Sequence, residues 1–142
     1  MSSENLSEEL KKQIGQLVAE GNVLVDEDDY VSALDKFEDA LDLIPEPKSS
    51  WEEALWIYAS IGDMQVFTED YESAAENFFN ALNCPDAQEN SFLHLRLGQA
   101  LFELDDKEKA LDHLIKAYEI DGEEIFDDED HKYYEYLKAN ME

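Results

Sequence analysis

The sequence predicts an all-α fold, an α-solenoid of three helix hairpins closed by a C-terminal capping helix, with about seven helices in all. Three observations predict it. One small-residue pattern occurs three times, helical periodicity joins the residues of each copy, and acidic turns or prolines separate the helical stretches. Since 44% of the 142 residues are hydrophobic, the chain can bury the core of one ordinary domain.

The repeated pattern places Gly, Ala, a bulky residue and Ala at fixed distances after a first, larger residue. The spacings are 4, 12, 4 and 3 residues in every copy. The copies are Leu17, Gly21, Ala33, Phe37, Ala40; Tyr58, Gly62, Ala74, Phe78, Ala81; and His94, Gly98, Ala110, Leu114, Ala117. A Gly inside a helix costs up to about 1 kcal/mol relative to Ala, so three equivalent glycines indicate close helix packing. The flanking alanines make a small-large-small ridge that suits interdigitation.

Capping and breaking residues predict the helix boundaries. The first helix is expected from Ser7 to about Val25, followed by an acidic turn whose charge favours the start of the next helix. The segment Ser50-Trp51-Glu52-Glu53 resembles a capping box that opens the third helix. Pro45 and Pro85 end the second and fourth helices. A last helix from about Asp130 to Asn140 covers the exposed edge of the stack.

These boundaries predict one domain over residues 7–142, preceded by a disordered N-terminus at residues 1–6. The repeats are expected at about 8–47, 50–86 and 88–122, with an acidic loop at 121–130 and the capping helix at 130–140. Extra residues before Trp51 and around Asp86–Glu89 predict either longer first helices or longer loops in the later repeats.

The chain is very acidic, with 10 Lys and Arg against 37 Asp and Glu, a net charge of -27. Such a surface argues against nucleic acid and against anionic membranes as direct ligands. It favours a basic partner attracted at long range. The plain alternative is that the charge only maintains solubility, although a magnitude of about 2–8 already suffices for that.

The remaining composition indicates a cytoplasmic protein. Cys84 is the single cysteine, which excludes an intramolecular disulfide and favours a reducing compartment. No run of 18 apolar residues predicts a membrane-spanning helix, and the first residues lack the features of a signal peptide.

The three copies of the pattern resemble the tetratricopeptide repeat (TPR) family. The resemblance covers residues 14–122, with residues 130–140 as the cap. It departs from the family in its period, since the glycines lie 41 and then 36 residues apart where the family period is 34. Leu17, Tyr58 and His94 replace a frequent Trp of the family, and Gly122 replaces the usual Pro after the last repeat.

The resemblance implies that the first helix of each repeat lines a concave face that binds protein partners. The partner-binding residues that it implies are Asn22, Val25, Asp26, Trp56, Asp63, Phe67, Phe92, Arg96, Gln99, Phe102 and Glu103. Gly15, Val18, Ala19, Ala59, Ser60, Val66 and Leu95 complete that face. Its four aromatic residues suit the apolar anchors of a peptide or helix. For Trp56 and Phe92, packing against neighbouring helices is an equal alternative; for Phe102 we favour the groove.

Some members of the family clamp the acidic C-terminal tail of heat-shock chaperones with two Lys, two Asn and one Arg. Asn22 and Arg96 match that set, but Val18, Ser60 and Phe92 occupy the other places, so both lysines are missing. We therefore expect no binding of an acidic chaperone tail.

A catalytic interpretation finds little support. Cys84, His94, His113 and His131 lack metal-ligand spacing, and no glycine-rich phosphate loop exists. His94 falls at a core position of its repeat and predicts a packed, hydrogen-bonded histidine, whereas His113 is expected on the surface. We expect no enzyme activity, no cofactor and no metal.

Two functions remain at this point. The first is an adaptor or chaperone that holds a basic or apolar partner segment in the concave face, similar in size to chaperones of bacterial secreted translocators. The second is an immunity or inhibitor-type protein that neutralises a basic toxin or nucleic-acid-acting enzyme. The acidic residues Asp127, Asp128, Glu129 and Asp130 are the predicted charged contact outside the concave face, with a solvated loop as the alternative.

Overall fold

The computed structural model of the chain describes residues 6–141. Over those residues it contains seven α-helices, which are α1 (Glu8–Asp26), α2 (Tyr30–Asp42), α3 (Glu53–Phe67), α4 (Tyr71–Leu82), α5 (Ser91–Glu103), α6 (Lys107–Asp121) and α7 (His131–Asn140). Two short 3₁₀ turns lie at Lys48–Ser50 and Glu123–Phe126. Consecutive helices pack against one another in chain order. The all-α stack of three hairpins and a final helix that the sequence predicts is therefore confirmed.

The three hairpins turn in the same way. Asp29, Asp70 and Asp106 cap α2, α4 and α6, and each side chain accepts a hydrogen bond from the backbone amide three residues later. The residue before each cap has a left-handed backbone, with φ between 61° and 66°. The acidic turns thus supply both the turn and the cap, because a short carboxylate side chain accepts from the free amides of a helix start.

The glycines of the repeated pattern sit under the large residues of the second helices. A Cβ at Gly21 would lie 2.6 Å from the Phe37 ring, and one at Gly62 would lie 2.7 Å from the Phe78 ring. At Gly98 the nearest atom would be Leu114, at 2.9 Å. These distances are shorter than real Cβ contacts. Glycine is therefore required wherever the two helices of a hairpin cross. The large residues themselves are at most 1% exposed.

The third helix begins differently from the prediction. The hydroxyl of Ser50 donates to the carbonyl of Pro47, and α3 starts at Glu53 after Glu52, which makes no side-chain cap. The capping-box interpretation is wrong because the nearby Pro47 carbonyl takes the hydroxyl. The inserted residues form the 3₁₀ turn at Lys48–Ser50 and the connection at 83–90. The helices α3 and α5 are both shorter than α1. The longer loops, not longer helices, absorb the insertion.

The chain ends also differ from the sequence-based expectation. Residues 1–5 of the expected disordered N-terminus lie outside the described residues. Leu6, which that expectation included, is 5% exposed and packs in the main core. At the other end, the expected acidic loop contains the 3₁₀ turn, and its Phe126 is buried.

Buried apolar residues form two clusters. The main cluster runs from Leu6 in front of α1 to Ala100 in α5. The second joins Leu95 of α5 and Leu114 of α6 to Phe126 and to Leu137 of α7. The C-terminal segment is thereby placed against the third hairpin, on the side to which Leu95 points.

Candidate protein-binding face

The concave face inferred from the sequence is carried by α1, α3 and α5. Residues from α1 and α3 line one shared pocket, and side chains of α3 and α5 form an ion pair, so the three helices do present a common face. Its two ends differ. The end between α1 and α3 is open and apolar, whereas the end at α5 is covered by the C-terminal segment.

The open end contains a cavity of about 380 Å³ between α1 and α3. It is lined by Leu6, Lys11, Ile14, Gly15, Val18, Glu53, Trp56, Ile57 and Ser60. Most of these side chains present carbon atoms to the cavity, and Trp56 stands at its edge with 57% of its surface exposed. Such a cavity has the size and character of a ligand site, which in proteins is concave and mostly apolar.

Two aromatic side chains, Trp56 and Phe92, lie between this cavity and the covered end of the face. The Trp56 and Phe92 rings lie 6.5 Å apart, and the Arg96 guanidinium lies over the Phe92 ring at 4.7 Å from its centroid. For Trp56 and Phe92 the sequence left two alternatives, exposure in the groove and packing against neighbouring helices. Neither alternative describes both residues. Trp56 is exposed, while Phe92 is half-buried beneath Arg96.

Arg96 is bound by carboxylates of this chain. Its Nε lies 3.3 Å from Asp63 of α3, and its Nη1 donates to Glu129 at 2.9 Å. Gln99, which is 6% exposed, also donates to Glu129, at 2.8 Å. Two carboxylates therefore share one guanidinium, which leaves this cluster with one excess negative charge.

The same cluster shifts the ionisation of Asp63. Burial raises the pKa of Asp63, Arg96 lowers it and the charge of Glu129 raises it, and together they place it at about 6. Desolvation disfavours the charged form of a carboxyl group, and a second carboxylate adds repulsion. Near pH 6, Asp63 thus changes its charge beside Arg96 and Glu129.

The covered end of the face is held by aromatic residues of α7. Phe102 meets the edges of Tyr133 and Tyr136, each with centroids 5.3 Å away. The Lys107 ammonium lies 4.4 Å from the Phe102 centroid. The structure thus places Phe102 beneath the capping helix, although the sequence favoured the open groove for it.

Glu103 ties the same helix down. Its Oε2 accepts from the Tyr133 hydroxyl at 2.6 Å and lies 2.7 Å from the Lys132 ammonium. Burial comes first and this hydrogen bond second in raising the pKa of Tyr133 well above its usual range. Because the charged side chain of Glu103 is engaged within the chain, it is less available to a partner than the sequence suggested.

The other predicted face residues lie near the hairpin turns. Asn22 and Asp26 of α1 are exposed, and Val25 is half-buried. Phe67, at the end of α3, is 54% exposed and stacks on Tyr30 with centroids 4.6 Å apart. None of these residues lines the cavity between α1 and α3.

The four acidic residues predicted as a contact outside the face have different environments in the structure. Asp127 and Asp128 are exposed, whereas Glu129 turns inward to Arg96. Asp130 caps α7 by accepting from the Lys132 amide. Two of the four residues therefore remain as a free acidic surface, and two hold the C-terminal segment.

The two histidines of the third hairpin face each other. Their Nδ1 atoms lie 3.1 Å apart, and His94 Nε2 lies 2.9 Å from the Gln88 carbonyl. A carbonyl only accepts, so His94 Nε2 carries its proton and His94 Nδ1 accepts from His113. His113 is half-buried rather than on the surface, and burial, with the neighbouring His94, lowers its pKa. The pair fastens α5 to α6.

Within residues 6–141, no group of three or more His, Cys, Asp or Glu side chains is arranged to hold a metal ion. Over the same range, each helix is too short or too polar to cross a membrane.

Sequence reasoning missed the floor of the open cavity. Ile14 and Ile57, which belong to the main core, form that floor, and Leu6 closes one side. One signal was present in the sequence. Gly15 stands in the middle of a helix but outside the repeated pattern, so helix packing does not account for it.

No protein-family model matches the sequence, and no curated protein matches it. Solved structures do resemble the fold. MamA superposes with a TM-score of 0.70 at 14% identity, covering 89% of this chain, which spans just under two thirds (65%) of MamA. The first TPR of Spaghetti (RPAP3), bound to the HSP90 peptide SRMEEVD, gives 0.68 at 15% identity over 90% of this chain and 92% of that one.

The TPR domain of Sgt2 from Aspergillus fumigatus gives a TM-score of 0.66 at 22% identity, over 94% of this chain and 77% of that one. The similarity spans all three hairpins and agrees with the pattern of glycines and alanines in the core. The chain therefore has the tetratricopeptide-repeat fold.

Proposed function

We propose that this chain is a non-catalytic protein-interaction module, an adaptor or chaperone that binds a basic or apolar segment of another protein. The observation that carries the proposal is the open end of the concave face. There an apolar cavity of about 380 Å³ lies beside the exposed Trp56, in a chain of net charge -27. Large exposed apolar surface of this kind is typical of binding sites.

The structural relatives support a peptide as the ligand. The RPAP3 domain, which has the same fold, holds the HSP90 peptide SRMEEVD. That peptide is acidic at its C-terminal end. The present chain differs from the chaperone clamp, because Val18, Ser60 and Phe92 occupy its remaining places, so that both lysines are missing, and because Arg96 already binds Asp63 and Glu129. These differences favour a basic or neutral partner.

The proposed place of action is the cytoplasm. Cys84, the single cysteine, is buried, and burial raises its pKa to about 11. A thiol in that state is poorly reactive and needs no oxidising compartment.

A second candidate is an immunity or inhibitor-type protein. The exposed pair Asp127 and Asp128, together with the overall charge, favours it. In that case the acidic surface, rather than the apolar cavity, would cover a basic active site of the partner.

A selection from a random library of displayed 12-residue peptides tests the proposal. We expect the wild-type chain to enrich peptides with Lys or Arg and at least one bulky apolar residue. NMR mapping of an enriched peptide should shift signals of α1 and α3. Enrichment of acidic peptides, or no enrichment at all, would reject the proposed function.

Salt dependence separates the two candidates. If the apolar cavity dominates, the affinity of an enriched peptide should change little between 50 and 500 mM salt. If acidic steering dominates, association should slow steeply over that range, as it does when charges guide an encounter. The double variant Asp127→Asn, Asp128→Asn should then slow it further.

A further inference from the structure

Gly15 differs from the glycines of the repeated pattern. At Gly21, Gly62 and Gly98 a Cβ would collide with a neighbouring side chain, whereas at Gly15 it would meet nothing within 4 Å. A Gly in the interior of a helix is unfavourable by up to about 1 kcal/mol relative to Ala. Nothing within the described chain uses the space that this glycine leaves open. The opening therefore suits a group that comes from outside.

That opening lies in the apolar cavity between α1 and α3. Gly15 lines the cavity together with Ile14 of its own helix and Ile57 of α3. Both isoleucines are at most 7% exposed and belong to the main core, so the floor of the cavity is fixed before any ligand arrives. A missing Cβ lets a ligand approach the helix backbone closely.

Trp56 stands over the same cavity. More than half of its surface, 57%, is exposed, although the ring touches the cavity on one side. A Trp in this position offers a large flat surface with little loss of conformational freedom on binding, which is why aromatic residues dominate binding hot spots. The cavity of about 380 Å³ is large enough for one bulky side chain beside it.

The charges around the cavity indicate the chemistry of the ligand. Lys11 and Glu53 on its edge balance each other. Further along the face, Asp26 is exposed, and the Asp63–Arg96–Glu129 cluster carries one excess negative charge. A partner with a cation next to its apolar group therefore gains attraction. A second copy of this chain would instead bring a further charge of -27 to the contact.

We infer that the cavity above Gly15 is the anchor site for one bulky apolar side chain of a basic segment in a partner protein. The inference rests on the proposed function and specifies its ligand. The anchor lies between Gly15 and Trp56, and the neighbouring Lys or Arg of the partner faces Asp26 and Asp63. The third hairpin makes a smaller contribution, since its part of the face is covered by the chain itself.

Two variants of Gly15 test the anchor without relying on a known partner. Gly15→Leu fills the cavity from within, while Gly15→Ala adds one carbon and serves as the matched control. Both replace Gly by a better helix former, so both should melt at or above the wild-type temperature. Loss of binding in Gly15→Leu then cannot be attributed to unfolding.

Indole is the first probe, as a stand-in for an apolar side chain. In ¹H–¹⁵N NMR spectra, indole should shift the amide signals of residues 14–18 and 56–60 of the wild type and of Gly15→Ala. In Gly15→Leu the apparent affinity should fall at least tenfold. Shifts that are absent from the wild type, or that persist in Gly15→Leu, would overturn the inference.

The second probe is an enriched 12-residue peptide, compared with its version in which the single bulky apolar residue is Ala. The Ala version should bind at least tenfold more weakly to the wild type and to Gly15→Ala, and the difference should vanish in Gly15→Leu. Equal binding of the two peptides would overturn the anchor but leave the proposed function standing. A wild-type dimer that Gly15→Leu disperses, or NMR shifts in residues 2–5 on that substitution, would assign the cavity to this chain itself and also overturn the inference.

Discussion

Glu129 accepts a hydrogen bond from Arg96 Nη1 at 2.9 Å, although 33 residues separate them in the sequence. The bond draws the segment in front of α7 onto the concave face. The Nη1 of the only arginine of that face is thereby bound by a carboxylate of the same chain.

Glu129→Gln should loosen the C-terminal segment. The side chain of Glu129 is only 19% exposed and bonds to a charged group, so its loss should cost about 2 kcal/mol of the free energy of unfolding. Glu129 also raises the pKa of Asp63, so that pKa should fall in the variant. Carboxyl ¹³C NMR titration measures it. Asp128→Asn, on an exposed neighbour, is the control, and an unchanged Asp63 titration would contradict the prediction.

Asp63 should make stability depend on pH. Its pKa is about 6 in the fold against 3.8 as an ordinary carboxyl, so the folded state binds the proton more tightly. The protonated form therefore stabilises the fold below pH 4, and this contribution is lost as pH rises from about 4 to 6.

Urea unfolding of the wild type and Asp63→Asn should reveal this dependence. The unfolding free energy of the variant minus that of the wild type should increase by about 1 kcal/mol from pH 5 to pH 7. A difference that stays constant, or that moves the other way, would show that Asp63 is not buried as described.

Phe102→Ala should destabilise the fold. The ring is half-buried between Tyr133 and Tyr136 and lies next to the Lys107 ammonium. Its removal should cost about 2 kcal/mol in denaturant unfolding. Phe79→Ala, at a ring that is 56% exposed, is the matched control and should cost less than about 1 kcal/mol. Equal effects would mean that α7 does not cover Phe102.

The glycines should respond in opposite directions to the same substitution. Gly21→Ala places a Cβ 2.6 Å from the Phe37 ring and should destabilise the protein by about 1–3 kcal/mol. Gly15→Ala meets no atom and should stabilise it by about 0.4–1 kcal/mol. Thermal unfolding of the two variants checks the signs, and a stabilising Gly21→Ala would refute the packing account of the repeat.

An acidic chaperone tail should not bind. Titration of the SRMEEVD peptide in a calorimeter should give no binding at micromolar concentrations, because Arg96 is already neutralised by Asp63 and Glu129. Glu129→Gln frees part of that arginine but supplies no lysine. Micromolar binding to the wild type would disprove this and would also weaken the proposed preference for basic partners.

The fold could be predicted because its determinants are short-range and repeated. Gly21 and Phe37 are 16 residues apart, and the same spacing recurs in each hairpin. The aspartate caps follow from local backbone chemistry. One local rule failed, since Ser50 bonds to the Pro47 carbonyl instead of capping α3.

The candidate binding face was only partly predictable. Its proposed residues came from the resemblance to the tetratricopeptide repeat family, but the way in which α7 covers it did not follow from the sequence. Glu129 is one of several adjacent acids, and the sequence alone does not distinguish which of them turns inward. His113 was expected on the surface, whereas it is half-buried against His94. The position of Glu129 depends on its contact with Arg96, and that of His113 on its contact with His94. Both partners are distant in the sequence.

The division of the buried residues into two clusters bears on how the molecule opens. In a stack of hairpins each unit contacts only its neighbours, so an end can melt while the remainder stays folded. The smaller cluster, which joins Leu95, Phe126 and Leu137, holds the covering segment in place. Its partial unfolding would lengthen the accessible groove by one hairpin without disturbing the cavity at the opposite end.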